Sequence, residues 1–263
     1  MAKTSTIGKT LAFPESAVNS LDMELTPKGQ SEERLYRTIA RRILQLINEN
    51  AGQPDWRVPS ERELADQLGV SRPVIREAII ALEMRGIVEV RDRAGIIVTN
   101  AAPQNGFDLA RDAGPGPFEL LEARLAVEAG SAAIAADRAT QADIDILMEC
   151  IERMQGENLQ LLHESGDKDF HMHIARMTNN MLIVSITERL WELREQSEMW
   201  HKLHEHIHAA TVRPLWIGDH YAVVSALKMR NADAAYRAMA RHIRNVMKEL
   251  LVADERGREI KND

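Results

Sequence analysis

Apolar residues recur every three or four positions over most of the chain, the signature of helices with one buried face. From Ser31 such a stripe runs through Leu35, Ile39, Ile43 and Leu46, with Glu32 and Glu33 in the first turn, where the helix dipole favours acids. A short second helix opens at Ser60, whose spacing to Glu63 makes a capping box, and Gly69 sits where that helix must stop. Ser71 caps a third helix, with Val74, Ala78 and Leu82 facing inward, and Gly86 ends it. Helix, three-residue turn, helix is a helix-turn-helix pattern. The period then changes. Ile87–Val90 and Ile96–Val98 are β-branched runs on either side of Arg91-Asp92-Arg93-Ala94-Gly95, which predicts a hairpin wing directly after the recognition helix.

Residues 101–117 hold three Gly and three Pro and read as a linker. Between Pro117 and Pro214 there is no proline, and Leu, Ala, Met, Glu and Ile recur at helical spacing. The expected fold is mainly α: an N-terminal winged helix-turn-helix with a small β-hairpin wing, then a C-terminal all-α helical bundle. The corresponding division is a flexible arm at 1–30, a DNA-binding domain at 31–100, the linker at 101–117, an all-helical metal- and effector-binding domain at 118–253, and a tail at 254–263.

Composition adds few constraints. The 263 residues suffice for two modest domains, and the single cysteine, Cys150, excludes an intrachain disulfide and suits a reducing cytoplasm. No apolar run is long enough for a membrane span, and no signal peptide is indicated. The net charge of -7 argues against a diffuse affinity for nucleic acid. Residues 31–100, however, are neutral, with 11 basic and 11 acidic side chains, and the acidic excess lies in 101–263. Any DNA contact must therefore come from a few well-placed arginines. Arg72 and Arg76 fall four apart at the start of the third helix, Arg62 lies on the helix before it, and Arg91 and Arg93 occupy the wing. Singly, each arginine reads as a surface ion pair; together they point to DNA.

Residues 57–98 resemble the DNA-binding domain of the GntR family, through PSERELA, the GVSR turn, the REA step and the closing G-I-V-E-V-R and AGIIV runs. The resemblance implies DNA contacts by Arg62, Arg72 and Arg76, and a minor-groove approach by Gly95. With Ser71, Arg91 and Arg93 these form the candidate DNA-binding set. Two departures stand out. Pro73 replaces a threonine whose hydroxyl would meet phosphate, and the wing carries Asp92 among its basic residues.

In the second half, Asp167 and His171 lie four apart, and His171, Ile174, Ala175 and Thr178 form one stripe. His220 shares a face with Val223, Val224 and Leu227, and His242 with Met239 and Val246. Three helices can thus aim one carboxylate and three imidazoles into a bundle interior, a donor set suited to Zn, Ni, Mn or Fe. The alternative pair Asp169 and His173 falls on the polar side, beside Arg176. Each histidine alone reads as a hydrogen-bonded core residue. The four together read either as a metal site or as polar ties between helices.

Residues 118–250 resemble the effector (FCD) domain of the FadR branch of the GntR family, opening with FELLEARLAVEAG. The resemblance implies a bundle of six or seven helices, metal ligation by Asp167, His171, His220 and His242, and a ligand carboxylate on Arg124, whose other natural partner is Glu128. W-E-L-R, E-M-W-H-K-L-H-E-H and P-L-W-I-G-D-H between Trp191 and His220 are similar to the hexuronate-catabolism repressors of that branch. They add Asn180, Arg194 and His204 as candidate effector contacts, with Trp200 and Trp216 left open between pocket and core. The implied protein is a cytoplasmic homodimeric repressor on a two-fold symmetric operator, released by a carboxylated sugar bound with a divalent metal, zinc first. Two rivals remain at this stage: a metal hydrolase or isomerase, and a regulator that answers the metal itself. No nucleophile elbow or H-E-x-x-H motif supports the enzyme.

Overall fold

Helix α1 spans Leu35–Asn50 in the computed structural model, which describes residues 33–51, 56–91, 94–99, 114–156, 165–206 and 209–256. The expected arm, most of the linker, Ser31, Arg93 and the last seven residues of the tail lie outside these. The buried face of α1 is Tyr36, Ile39, Ala40, Ile43, Leu44 and Ile47. Leu35 is 54% exposed, so the stripe keeps Ile39 and Ile43 but is rotated at its ends, where Tyr36, Leu44 and Ile47 join the packing. Helix α2 (Glu61–Leu68) opens on the complete Ser60–Glu63 capping box and closes on Gly69 at φ +66°, a left-handed turn that favours glycine. Helix α3 (Arg72–Met84) follows, with Ser71 at its N-cap and Pro73 in its first turn, where a missing N–H costs nothing. The Ser71 side chain makes no capping hydrogen bond. Ile75, Ala78, Ile79 and Leu82 of α3 close the small core with α1 and Leu64.

Strands β1 (Val88–Arg91) and β2 (Gly95–Val98) pair antiparallel in the register Val88↔Val98 to Arg91↔Gly95. The wing is therefore present where the two β-branched runs place it.

Seven helices make the second layer among the described residues: α4 (Pro117–Arg138), α5 (Gln141–Gly156), α6 (Ser165–Met177), α7 (Met181–Glu195), α8 (Glu198–Glu205), α9 (Ala209–Lys228) and α10 (Ala232–Arg256). Helix α4 is central and packs along α10, with α6, α7 and α9 around it. Its Ala129, Ala132, Ala135 and Ala136 are buried, small enough for close helix approach. No helix among the described residues is long and apolar enough to cross a membrane.

Candidate metal centre and DNA-binding face

Asp167 and His171 project from α6, His220 from α9 and His242 from α10. Each histidine sits in the apolar stripe that buries its helix, so folding drives all three imidazoles into one interior. One ligand atom from each of the four residues lies within 4.8 Å of the others. The rings crowd together: His220 and His242 have centroids 4.2 Å apart, and His171 lies 5.3 Å from His242. His171 Nε2, His220 Nε2 and His242 Nδ1 are buried without a hydrogen bond of good geometry. Buried polar atoms are normally satisfied, and a shared cation would satisfy all three at once.

The surroundings fix the tautomers such an ion needs. His220 Nδ1 lies 2.8 Å from the Trp216 carbonyl, which only accepts, so Nδ1 carries a proton and Nε2, 3.0 Å from Asp167 Oδ1, is the ring nitrogen turned to the cluster. His171 Nδ1 lies 2.6 Å from Glu128 Oε2, leaving Nε2 facing Asp167 at 3.5 Å. Glu128 also holds Arg124 at 2.9 and 3.3 Å. Burial would raise the Glu128 carboxyl, but Arg124 and His171 overcome it and bring its pKa to about 2. At Asp167, burial is likewise outweighed by the adjoining His171 and His220 imidazoles, at 3.5 and 3.0 Å, and the carboxyl stays well below its ordinary range. Burial and the nearby positive imidazoles press His242 well below its usual value, keeping it neutral. An ionised aspartate and one imidazole nitrogen from each of three histidines are the donor set a divalent ion takes, once those nitrogens give up their protons to it. The residues present fit a metal.

Against this cluster opens a cavity lined by Asp167, His220, His242, Arg124, Arg194, Arg213, Trp200, His204 and Trp216 among others. His171 lies behind this lining, against Glu128. Arg124 stacks on the fully buried Trp191 at 4.1 Å, and Arg194 lies 4.7 Å from both Trp191 and Trp200. Flat guanidinium groups held on indoles are oriented donors for an anion. The His204 imidazole bonds the Trp200 carbonyl at 3.1 Å. Trp200 and Trp216 line the cavity rather than only the core. Arg213 had no motif to announce it, and neither did the contact of Glu128 with His171, because both depend on how separate helices meet.

Asn180 is a correction. It is exposed and caps α7, its Oδ1 accepting from the Leu182 and Ile183 N–H groups at 3.0 and 3.4 Å, and it does not line the cavity. An asparagine before a helix finds its partners in the next turn, and these commit its Oδ1. The other carboxylate–histidine pair separates: Asp169 meets Arg153 at 2.7 Å, and His173 meets Asp143 at 3.0 Å.

On the DNA-binding side, Arg62 and Ser71 are exposed and Arg72 is half-buried at the start of α3. Gly95 opens β2 at φ +76°. Arg91 is exposed but folded onto Glu89 at 2.7 and 2.8 Å. Arg76 needs a correction: it is 3% exposed and bonds Glu61 at 2.8 and 3.0 Å. Glu61 is buried in the first turn of α2 and requires a countercharge, so Arg76 turns inward and ties α2 to α3.

Residues 35–98 match the family described as "Bacterial regulatory proteins, gntR family", and residues 119–245 match the FCD domain. A winged helix joined to such a domain makes the protein a DNA-binding transcription regulator, not an enzyme. The chain belongs to the GntR family. It is 39% identical over 229 residues to the Uxu operon transcriptional regulator of Escherichia coli, covering 84% of this chain and 88% of that one. It is also 39% identical over 230 residues to the Exu regulon transcriptional regulator of the same organism, covering 85% of each chain. The Uxu operon regulator of Haemophilus influenzae is 36% identical over 218 residues, with 82% of each chain covered.

Proposed function

We propose that this regulator is a homodimeric repressor of sugar-acid catabolism, released from a two-fold symmetric operator by a hexuronate bound in the helical domain. The observation that carries the reading is the meeting of four ligand atoms at the wall of a cavity that also presents Arg124, Arg194 and Arg213. Asp167, His171, His220 and His242 hold a divalent ion, zinc by the donor set, with nickel, manganese and iron also compatible. When bound, that ion supplies a positive centre for a carboxylate. Arg124 and Arg194 orient the acid, while Trp200, His204 and Trp216 face the remainder of the sugar. The relatives named for the Uxu operon and the Exu regulon supply the substrate class. On the DNA, Arg62, Ser71, Arg72 and the wing residues Arg91, Arg93 and Gly95 form the contacting set, one recognition helix per half-site. The effector acts only by binding the two states of the dimer unequally.

A thermal-shift screen of metal-loaded protein tests this, because a ligand that binds only the folded state raises the melting temperature. Galacturonate or glucuronate should raise it, aldonates and dicarboxylates should do so less, and His220→Ala should abolish the shift. Stabilisation by none of the hexuronates, or a metal content far below one per chain in untagged protein, would overturn the reading.

A further inference from the structure

Helix α4 begins at Pro117, and its N-cap, Gly116, has no side chain to satisfy the first N–H groups. The missing cap comes from the recognition helix. Glu77, on α3, accepts hydrogen bonds from the Phe118 N–H at 2.9 Å and the Glu119 N–H at 3.4 Å. The approach is so close that a Cβ on Gly116 would stand 2.2 Å from Glu77 Oε1. Glu77 is 5% exposed, so its carboxyl is committed to this joint. Two turns further along the same helix, Arg124 faces the cavity. At the far end of α3, Glu83 bonds His206 at 2.9 Å and the Val90 N–H of the wing at 3.3 Å. His206 caps the C-terminus of α8, which carries Trp200 and His204 of the same cavity.

We infer that Glu77 is a positioning residue that locks the recognition helix to the first turn of α4, so that operator binding and the state of the cavity are read through this joint. Glu83 and His206 make the second point of attachment. A helix held at two points moves with the helices that hold it. A shift of α4 about Arg124 therefore re-aims α3, and seating α3 on DNA shifts α4. Linkage requires the effect to run both ways. The proposal rests on the effector reading only for the identity of the ligand; the joint itself is tested from the DNA side.

The test uses the full-length protein and operator DNA selected by the wild type from a random-sequence pool. Hydrogen exchange is followed over residues 118–124 with and without this DNA. Operator binding to the wild type should slow exchange there several-fold, although these residues lie in the helical domain. Glu77→Ala should lose this transmitted protection, and Gly116→Ala, which pushes the carboxylate away from the other side, should lose it too. Both should still bind the operator in an anisotropy titration. Glu77→Gln, whose amide oxygen can still accept, should restore protection. Unchanged protection in Glu77→Ala and Gly116→Ala, or none in the wild type, would overturn the proposal. Failure of the effector reading would look different: galacturonate would leave wild-type operator affinity unchanged while the transmitted protection persisted.

Discussion

Arg72 and Arg76 lie one turn apart on one helix, yet one is half-buried at the start of the recognition helix and the other is spent on Glu61. Their substitutions should separate cleanly. Arg76→Ala strands a buried carboxylate, and breaking such a pair costs about 3–5 kcal/mol, so the chemical denaturation midpoint should fall sharply. Arg72→Ala should leave that midpoint within about 1 kcal/mol of wild type and instead weaken operator binding by about 1–3 kcal/mol. Glu128 invites a similar division. It does not line the cavity, yet it orients His171 and Arg124 together. Glu128→Gln should lower metal affinity by about 10–100-fold, read by competition with a chromophoric chelator. Asn180→Ala should cost about 1 kcal/mol of stability through the lost cap and leave the response to any effector unchanged.

At the scale of elements, what the sequence disclosed was whatever is local. The capping box at Ser60, the stop at Gly69 and the two wing strands each depend on neighbours within a few positions, and spacing records such neighbours directly. The inward direction of His171, His220 and His242 was legible because each lies in an apolar stripe. Their convergence was not, since periodicity says which way a side chain points and not what it meets; the family resemblance supplied that step. Arg76 illustrates the same gap, since its partner Glu61 lies 15 positions away, whereas Asn180 came from the resemblance alone and meets only the N–H groups of the next turn. Glu77 shows the limit most clearly, because its partners lie 41 and 42 positions away. Its burial has a measurable consequence. Desolvation, with help from Glu119 and Glu122, outweighs the two N–H donors and raises its pKa from 4.5 to about 7. The folded chain therefore binds this proton more tightly than the unfolded chain. The stability it contributes is full below pH 4.5 and is lost as the pH rises through 7. Between pH 8 and pH 5 the wild type should gain on the order of 3 kcal/mol relative to Glu77→Gln, measured by denaturant titration at each pH.

For the whole molecule, the two halves are joined by charged contacts as well as by chain. Arg34, at the start of α1, pairs with Glu119 in the first turn of α4, beside the Glu77 joint. The regulator can thus respond as a unit although its sensing and DNA-reading residues sit on different layers. The DNA-binding layer is also sparing with its charge. Arg76 is neutralised by Glu61 and Arg91 by Glu89, within a segment of 11 bases and 11 acids. Bulk duplex holds a protein through its uncompensated cations, so this one should leave random sequence quickly. A chromosome offers on the order of 10⁶–10⁹ competing sites, and time lost on each lengthens the search for the right one. By answering its own arginines with its own acids, the winged helix should bind random sequence weakly, so that even a small pool of the regulator would search the chromosome promptly.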